Sequence, residues 1–235
     1  MFDTTEFEKA LGCTFKNKTL LKLAFTHTTY VFEHKKGHYE SNQRLEFIGD
    51  SVIDLVIGRK LYELKPQADE GYLSKTRSII VCERSFATVA RKLGMGELLL
   101  LGKGEDHSGG RDKDSTLADA FESVIAAVYF DQGFEKAQEV ILNILGSTIT
   151  DAIEGKIFLD YKSRLLEIAQ IKNNQHKIEF RVVSESGPAH LRVFEVEVYA
   201  DDNVFLARAT GRSKKEAEQK CAQEAISKYQ ELFVL

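Results

Sequence analysis

Apolar residues recur at three- and four-residue intervals through residues 46–62, 73–93, 117–130 and 134–149, the period of helices that bury one face. Gly94 after Lys92-Leu93, and Gly133 between two periodic runs, supply helix ends. Beyond residue 159 the texture changes. Residues 161–171 keep the helical period. Three stretches then alternate apolar and polar positions, 178–183, 191–199 and 204–210, as half-buried strands do. Gly187-Pro188 separates the first two, and Asp201-Asp202-Asn203 turns the chain into the third. A last helical period covers 213–229. The pattern predicts an all-α domain over residues 1–156 and a small α+β domain, α-β-β-β-α, over 157–235. The boundary falls near 155–160, where Glu154-Gly155-Lys156 forms a short polar link.

A chain of 235 residues that is 43% hydrophobic suffices for two domains with real cores. Three widely spaced cysteines, Cys13, Cys82 and Cys221, offer neither metal-ligand spacing nor a disulfide framework. The N-terminus lacks a secretory pattern, and no apolar run approaches the roughly 20 residues of a membrane span. Together these predict a cytoplasmic protein. The net charge of −4 does not announce a nucleic-acid binder, but it is unevenly spread. Residues 1–158 hold 20 basic and 24 acidic side chains, and residues 159–235 hold 12 of each. All the excess acid lies in the helical part.

Within it, residues 117–130 read LADAFESVIAAVYF, with Asp119 and Glu122 as the only charges. Three residues apart, they share one face of a helix that is otherwise apolar or small. Buried like charges need a partner, a proton or a metal. Arg44-Leu45-Glu46-Phe47-Ile48-Gly49-Asp50 offers a second pair, with Glu46 and Asp50 one turn apart. Gly49 costs about 1 kcal/mol inside a helix, so it points to close approach of another backbone or a ligand. Asp54 continues the spacing and reads as a solvated residue. Taken alone, each pair is better read as a solvated or salt-bridged stripe. If the two converge, four oxygen donors suit Mg²⁺, with Mn²⁺ as a substitute, and no His or Cys cluster competes for a softer metal. Such a centre activates water and stabilises the leaving oxygen of an in-line phosphodiester displacement.

Asn42-Gln43-Arg44-Leu45-Glu46-Phe47-Ile48-Gly49-Asp50 resembles the signature stretch of ribonuclease III. Phe25-Thr26-His27-Thr28, Asp69-Glu70-Gly71-Tyr72-Leu73-Ser74, Gly102-Lys103-Gly104-Glu105, Ser108-Gly109-Gly110-Arg111 and Leu117-Ala118-Asp119-Ala120-Phe121-Glu122 resemble further motifs of that family, in the same order. The resemblance implies a helical endonuclease domain that forms a homodimer, with one acidic site per protomer beside the interface. It implies metal ligation by Glu46, Asp50, Asp119 and Glu122, catalytic roles for Asp50 and Glu122, and an accessory acidic position at Glu70. It also implies double-stranded RNA as substrate, 5′-phosphate and 3′-hydroxyl ends with a short 3′ overhang, and work on precursor rRNA and structured mRNA and tRNA transcripts. Gln43 stands where many members have Glu.

Gly187-Pro188-Ala189-His190 and Gly211-Arg212-Ser213-Lys214-Lys215-Glu216-Ala217-Glu218-Gln219 resemble the double-stranded RNA-binding domain, over about 161–229. The resemblance implies RNA contacts from Lys162, Glu167, His190, Arg212, Ser213, Lys214 and Lys215. Leu166 stands where Gln is frequent. Lys214 and Lys215 open the last helix, whose dipole reinforces their pull on phosphate. Such domains read A-form shape across roughly 16 base pairs. The Gly-rich stretch 102–110 reads equally as a mobile connector or as part of the family motifs it matches, His107 as a surface residue and His27 as structural. Two other readings compete. One is a protein that only grips structured RNA, and the acidic set argues against it. The other is a phosphohydrolase of small phosphate esters, and the appended RNA-binding pattern argues against that.

Overall fold

The computed structural model describes residues 3–157, 160–170, 176–188, 192–201 and 203–233. The chain divides into two compact units, Met1–Ile157 and Phe158–Leu235.

The described residues of the first unit form ten helices: α1 (Thr5–Leu11), α2 (Lys18–Ala24), α3 (Thr28–Glu33), α4 (Gln43–Leu64), α5 (Glu70–Ile80), α6 (Glu83–Lys92), α7 (Met95–Leu98), α8 (Lys103–His107), α9 (Asp114–Gln132) and α10 (Phe134–Ile153). α9 is the hub. Leu117, Ala118, Ala120, Phe121 and Val124 through Val128 are all buried, so it is apolar nearly all round and lies inside the unit. It packs against α4, α6, α10 and α2. α4 gives it one face, through Leu45, Gly49, Val52, Ile53, Val56, Ile57 and Leu61. Its opposite face exposes Phe47, Leu55 and Tyr62, with Phe47 at 73%.

The helical run expected over 73–93 is two helices. α5 ends with the Val81 N–H donating to the Arg77 carbonyl, and Cys82 is extended before α6. Ile80, Phe86 and Val89 all enter the same core, so the apolar period runs through the turn without registering it. The stretch 102–110 is likewise not a loose connector. It contains α8 and leads into a 3₁₀ turn, Gly110–Asp112. The Arg111 guanidinium donates to the carbonyls of Gly96 and Leu99, both at 2.9 Å, and binds the Asp106 carboxylate at 2.7 and 3.0 Å.

The second unit follows the order α11 (Tyr161–Ala169), β1 (Ile178–Ser186), β2 (Val193–Ala200), β3 (Val204–Gly211) and α12 (Lys214–Phe233). The strands form one antiparallel sheet in the order β1-β2-β3, with Val182 opposite Val196 and Val196 opposite Ala209. Val196, Val198, Ala200, Ala207 and Ala209 meet Leu165 and Ile168 of α11 and Ala217, Cys221 and Ala225 of α12 in a second core. This is the all-α plus α-β-β-β-α architecture expected from the period change. No helix among the described residues is long and apolar enough to cross a membrane.

Candidate active site

The two acidic pairs meet where α4 crosses α9. A Cβ built on Gly49 would stand 1.9 Å from the Glu122 carbonyl oxygen and 2.5 Å from its carbon. Only glycine allows that approach. The backbone contact foreseen at Gly49 is therefore Glu122 itself. On either side of the crossing, Glu46 and Asp50 of α4 lie near Asp119 and Glu122 of α9. The Ser123 hydroxyl fastens the same joint by donating to the Asn42 carbonyl at 3.1 Å, in a buried setting.

The acidic charges there repel one another. Burial and then the charges of Asp50, Glu46, Asp119 and Asp54 push the Glu122 carboxyl from the ordinary 4.5 up to about 8. Burial, followed by Asp119 and Asp50, raises Glu46. Asp119 is raised by burial and then by Glu83, with Lys113 opposing. Asp54 is partly exposed, lies 3.9 Å from Arg77 and also adds to the field on Glu122. The repeated i, i+4 spacing of Glu46, Asp50 and Asp54 was the available signal. Glu70 stands apart at the start of α5, exposed, accepting a hydrogen bond from the Ser74 hydroxyl at 2.6 Å. His27 caps α3: its ring Nδ1 accepts from the Thr29 N–H.

Among the described residues, no three His, Cys, Asp or Glu side chains stand as a ready ligand cluster. The four carboxylates are coupled through their charges rather than closed around one point. The donor set still suits a hard divalent cation: oxygen only, partly buried, and repelling itself.

A stability consequence follows from Glu122. In the unfolded chain this carboxyl ionises near 4.5, and in the folded protein near 8. Between those values the folded state keeps a proton that the unfolded chain has lost. The group's stabilising contribution is complete below 4.5 and is lost as pH rises through about 8. Glu122→Gln, neutral throughout, should outlast the parent by a widening margin over that window, reaching a few kcal/mol after solvent screening. Melting curves of chelator-treated protein measure this. A margin that is constant with pH would refute the buried, uncompensated charge.

In the second unit, the Ser213 hydroxyl accepts the Glu216 N–H at 3.1 Å, and the Glu216 carboxylate accepts the Arg212 N–H at 2.8 Å. This reciprocal pair fixes the start of α12. Gly211 makes room for it, because a Cβ there would stand 2.5 Å from the Ala217 nitrogen. Arg212, Lys214 and Lys215 are exposed, and among the described residues neither lysine has an ion-pair partner. Lys162 differs. Its ammonium binds Glu218 at 2.7 Å and sits 5.0 Å above the Phe180 ring, so it is held within the unit. Glu167 is exposed and 3.3 Å from Arg164. His190 lies outside the described residues.

Residues 17–149 match the Ribonuclease-III-like family model, and residues 161–229 match the double-stranded RNA binding motif. A protein named Ribonuclease 3 from Caldanaerobacter subterraneus subsp. tengcongensis is 47% identical over 95% of this chain and 97% of its own length. Another of that name, from Pelotomaculum thermopropionicum, is 43% identical over 95% of this chain and 92% of its own. The solved nuclease domain of a ribonuclease III from Campylobacter jejuni is 37% identical, with a TM-score of 0.58, over 62% of this chain and 97% of its own. With two acidic helices locked together in one unit and an RNA-binding motif in the other, the chain belongs to the ribonuclease III family and is an endoribonuclease acting on double-stranded RNA.

Proposed function

We propose that residues 1–156 form the catalytic domain and hydrolyse phosphodiester bonds of double-stranded RNA with Mg²⁺, Mn²⁺ serving as a substitute. The products carry 5′-phosphate and 3′-hydroxyl ends with short 3′ overhangs. Residues 157–235 grip the duplex, through Arg212, Ser213, Lys214 and Lys215 at the start of α12, with Glu167 and His190. Lys162 joins them only on leaving Glu218. The observation that carries the catalytic reading is the Gly49–Glu122 crossing, which sets two acidic pairs face to face, where burial and mutual repulsion raise Glu122.

Glu46, Asp50, Asp119 and Glu122 would hold the ion. Its chemistry, when bound, is activation of water and stabilisation of the leaving oxygen. The side chains do the rest. Asp50, the most exposed of the four, faces the substrate side, while Glu122 anchors the centre from within. The proton that Glu122 keeps up to about 8 must leave before it can serve as a ligand, so cation binding and its deprotonation are linked.

The protein acts as a homodimer through α4. Phe47, Leu55 and Tyr62 form an exposed apolar stripe beside the acidic edge of that helix, and isolated monomers seldom leave such a face bare. The description of the Campylobacter jejuni domain also refers to a region involved in dimer formation. Glu46 and Leu64 are about 27 Å apart along α4 at 1.5 Å per residue, so Glu70, which follows the C-terminal end of α4, starts α5 away from the acidic pairs of its own chain. A twofold axis near Leu55 would run two α4 helices antiparallel and carry the Glu70 end of each chain toward the acidic pairs of the other. Sedimentation of an active monomer would refute this arrangement.

The cellular role is processing of rRNA precursors and structured mRNA and tRNA transcripts in the cytoplasm, where three unpaired cysteines remain reduced. Incubating the full chain with a long RNA duplex and Mg²⁺ tests the activity. Staggered cuts with 5′-phosphate ends are expected. An intact duplex under every divalent ion tried would sink the reading.

A further inference from the structure

We infer that Lys113 is a substrate-binding residue, whose ammonium takes a phosphate of the RNA backbone beside the acidic centre in exchange for its resting partner Glu105. The inference rests on the reading of that centre given above.

The centre poses an electrostatic problem for its own substrate. RNA arrives as a dense row of negative phosphates. The neighbouring charges that act most strongly on Glu46 and Glu122 are all negative too. A bound cation offsets part of this repulsion, but phosphates flanking the reacting one also need positive charge. Two of the basic groups near α9 are committed elsewhere. Arg91 binds Asp112 and Asp114, each at 2.6 Å. Arg111 spends its donors on two carbonyls and Asp106.

Lys113 is different in three respects. It immediately precedes α9, six residues before Asp119, and its charge is the one that opposes the upward push on that carboxyl. Its backbone is held from both sides. Arg91 ties down Asp112 and Asp114, and a Cβ on Gly110 would meet the Glu105 side chain at 2.6 Å, so the turn has no slack. Its side chain, by contrast, is 60% exposed and rests 3.6 Å from a Glu105 carboxylate oxygen, outside hydrogen-bond range. An exposed ion pair of that length is weak. A fixed Cα with a loosely held ammonium is the arrangement that can exchange a carboxylate for a phosphate without moving the backbone. The alternative is that Lys113 only balances the charge of Glu105 and Asp119 within the fold.

Salt dependence separates the two. Each phosphate neutralised by a protein cation contributes about 0.9 to the slope of log affinity against log salt on a duplex. The experiment uses the full chain in a Glu122→Gln background, Mg²⁺, and an RNA duplex longer than roughly 16 base pairs. Dissociation constants are measured across a KCl series. With Lys113→Ala, the slope is expected to fall by about one contact per protomer. Affinity should drop several-fold at low salt, equally for duplexes of different sequence, and the melting temperature should not change. Lys113→Arg should restore the slope. Glu105→Gln, which frees the lysine, should bind as tightly as the parent or tighter, and it serves if the alanine variant does not fold. An unchanged slope in Lys113→Ala, an affinity loss that tracks a loss of melting temperature, or weaker binding by Glu105→Gln overturns the inference alone. Failure of the parent to bind any duplex would overturn the double-stranded RNA reading, and Lys113 with it.

Discussion

Glu122→Gln should abolish cleavage while leaving the grip on a duplex nearly intact. Gln fills the same volume and keeps the α4–α9 crossing, because the close contact with Gly49 is made by the Glu122 backbone carbonyl. What it removes is the carboxylate at the middle of the acidic set. Losing residues that merely orient a metal ligand costs about 10–100-fold, so losing a proposed direct ligand should cost more than about 100-fold. Duplex affinity should stay within a few-fold, since Arg212, Lys214 and Lys215 lie in the other unit. Single-turnover cleavage with protein in excess isolates the chemical step from binding. Equal loss of binding and cleavage would show that Glu122 is structural, and retained cleavage would remove it from the catalytic centre. The same variant is expected to melt higher than the parent at alkaline pH. An active-site charge that costs the fold stability is common, because function requires what packing alone would reject.

The sequence made the long elements legible for a simple reason. α4 and α10 each keep an apolar period for four turns or more, α9 is a long apolar run, and the strands show enough alternation between turns to be counted. Turns that preserve the period are invisible to such reasoning, which is why α5 and α6 read as one helix. Gly-rich composition misled over 102–110, because rigidity there comes from Arg111, whose bonds reach back to Gly96 and Leu99. At the site, the spacing of each acidic pair was readable, as was the need for close approach at Gly49. That the approaching backbone is Glu122 depends on a crossing between residues 73 apart in sequence, which no local pattern encodes. Lys162 shows the same limit. The family resemblance implies an RNA contact there, and the fold engages its ammonium with Glu218 on α12, a pairing no local pattern shows. Lys113 sits in a plain Asp-Lys-Asp run that carries no pattern of its own. Only the folded turn reveals that both aspartates are held by Arg91 while the lysine is loosely held.

Gly49→Ala should destabilise the first unit severely, although alanine is the better helix former. Propensity alone favours the substitution by about 1 kcal/mol. Packing opposes it, since the new Cβ would stand 1.9 Å from the Glu122 carbonyl oxygen. Overpacked cores typically lose about 1–3 kcal/mol by shifting side chains. Here the obstacle is backbone on both sides, and no rotamer relieves it. The helices must part, and α9 cannot retreat because it is buried among α2, α6 and α10. A loss exceeding about 3 kcal/mol is therefore expected, above the usual overpacking range. Folded molecules that remain should cleave poorly, because separating the helices pulls Glu46 and Asp50 away from Asp119 and Glu122. Gly58→Ala, on the same helix, is the control. Its Cβ would meet the Arg77 guanidinium at 3.7 Å, an ordinary contact, so propensity should decide and stability should hold or rise. Urea unfolding of both variants measures the difference. If Gly49→Ala were as stable as Gly58→Ala, the two acidic helices would not cross as closely as the candidate centre requires.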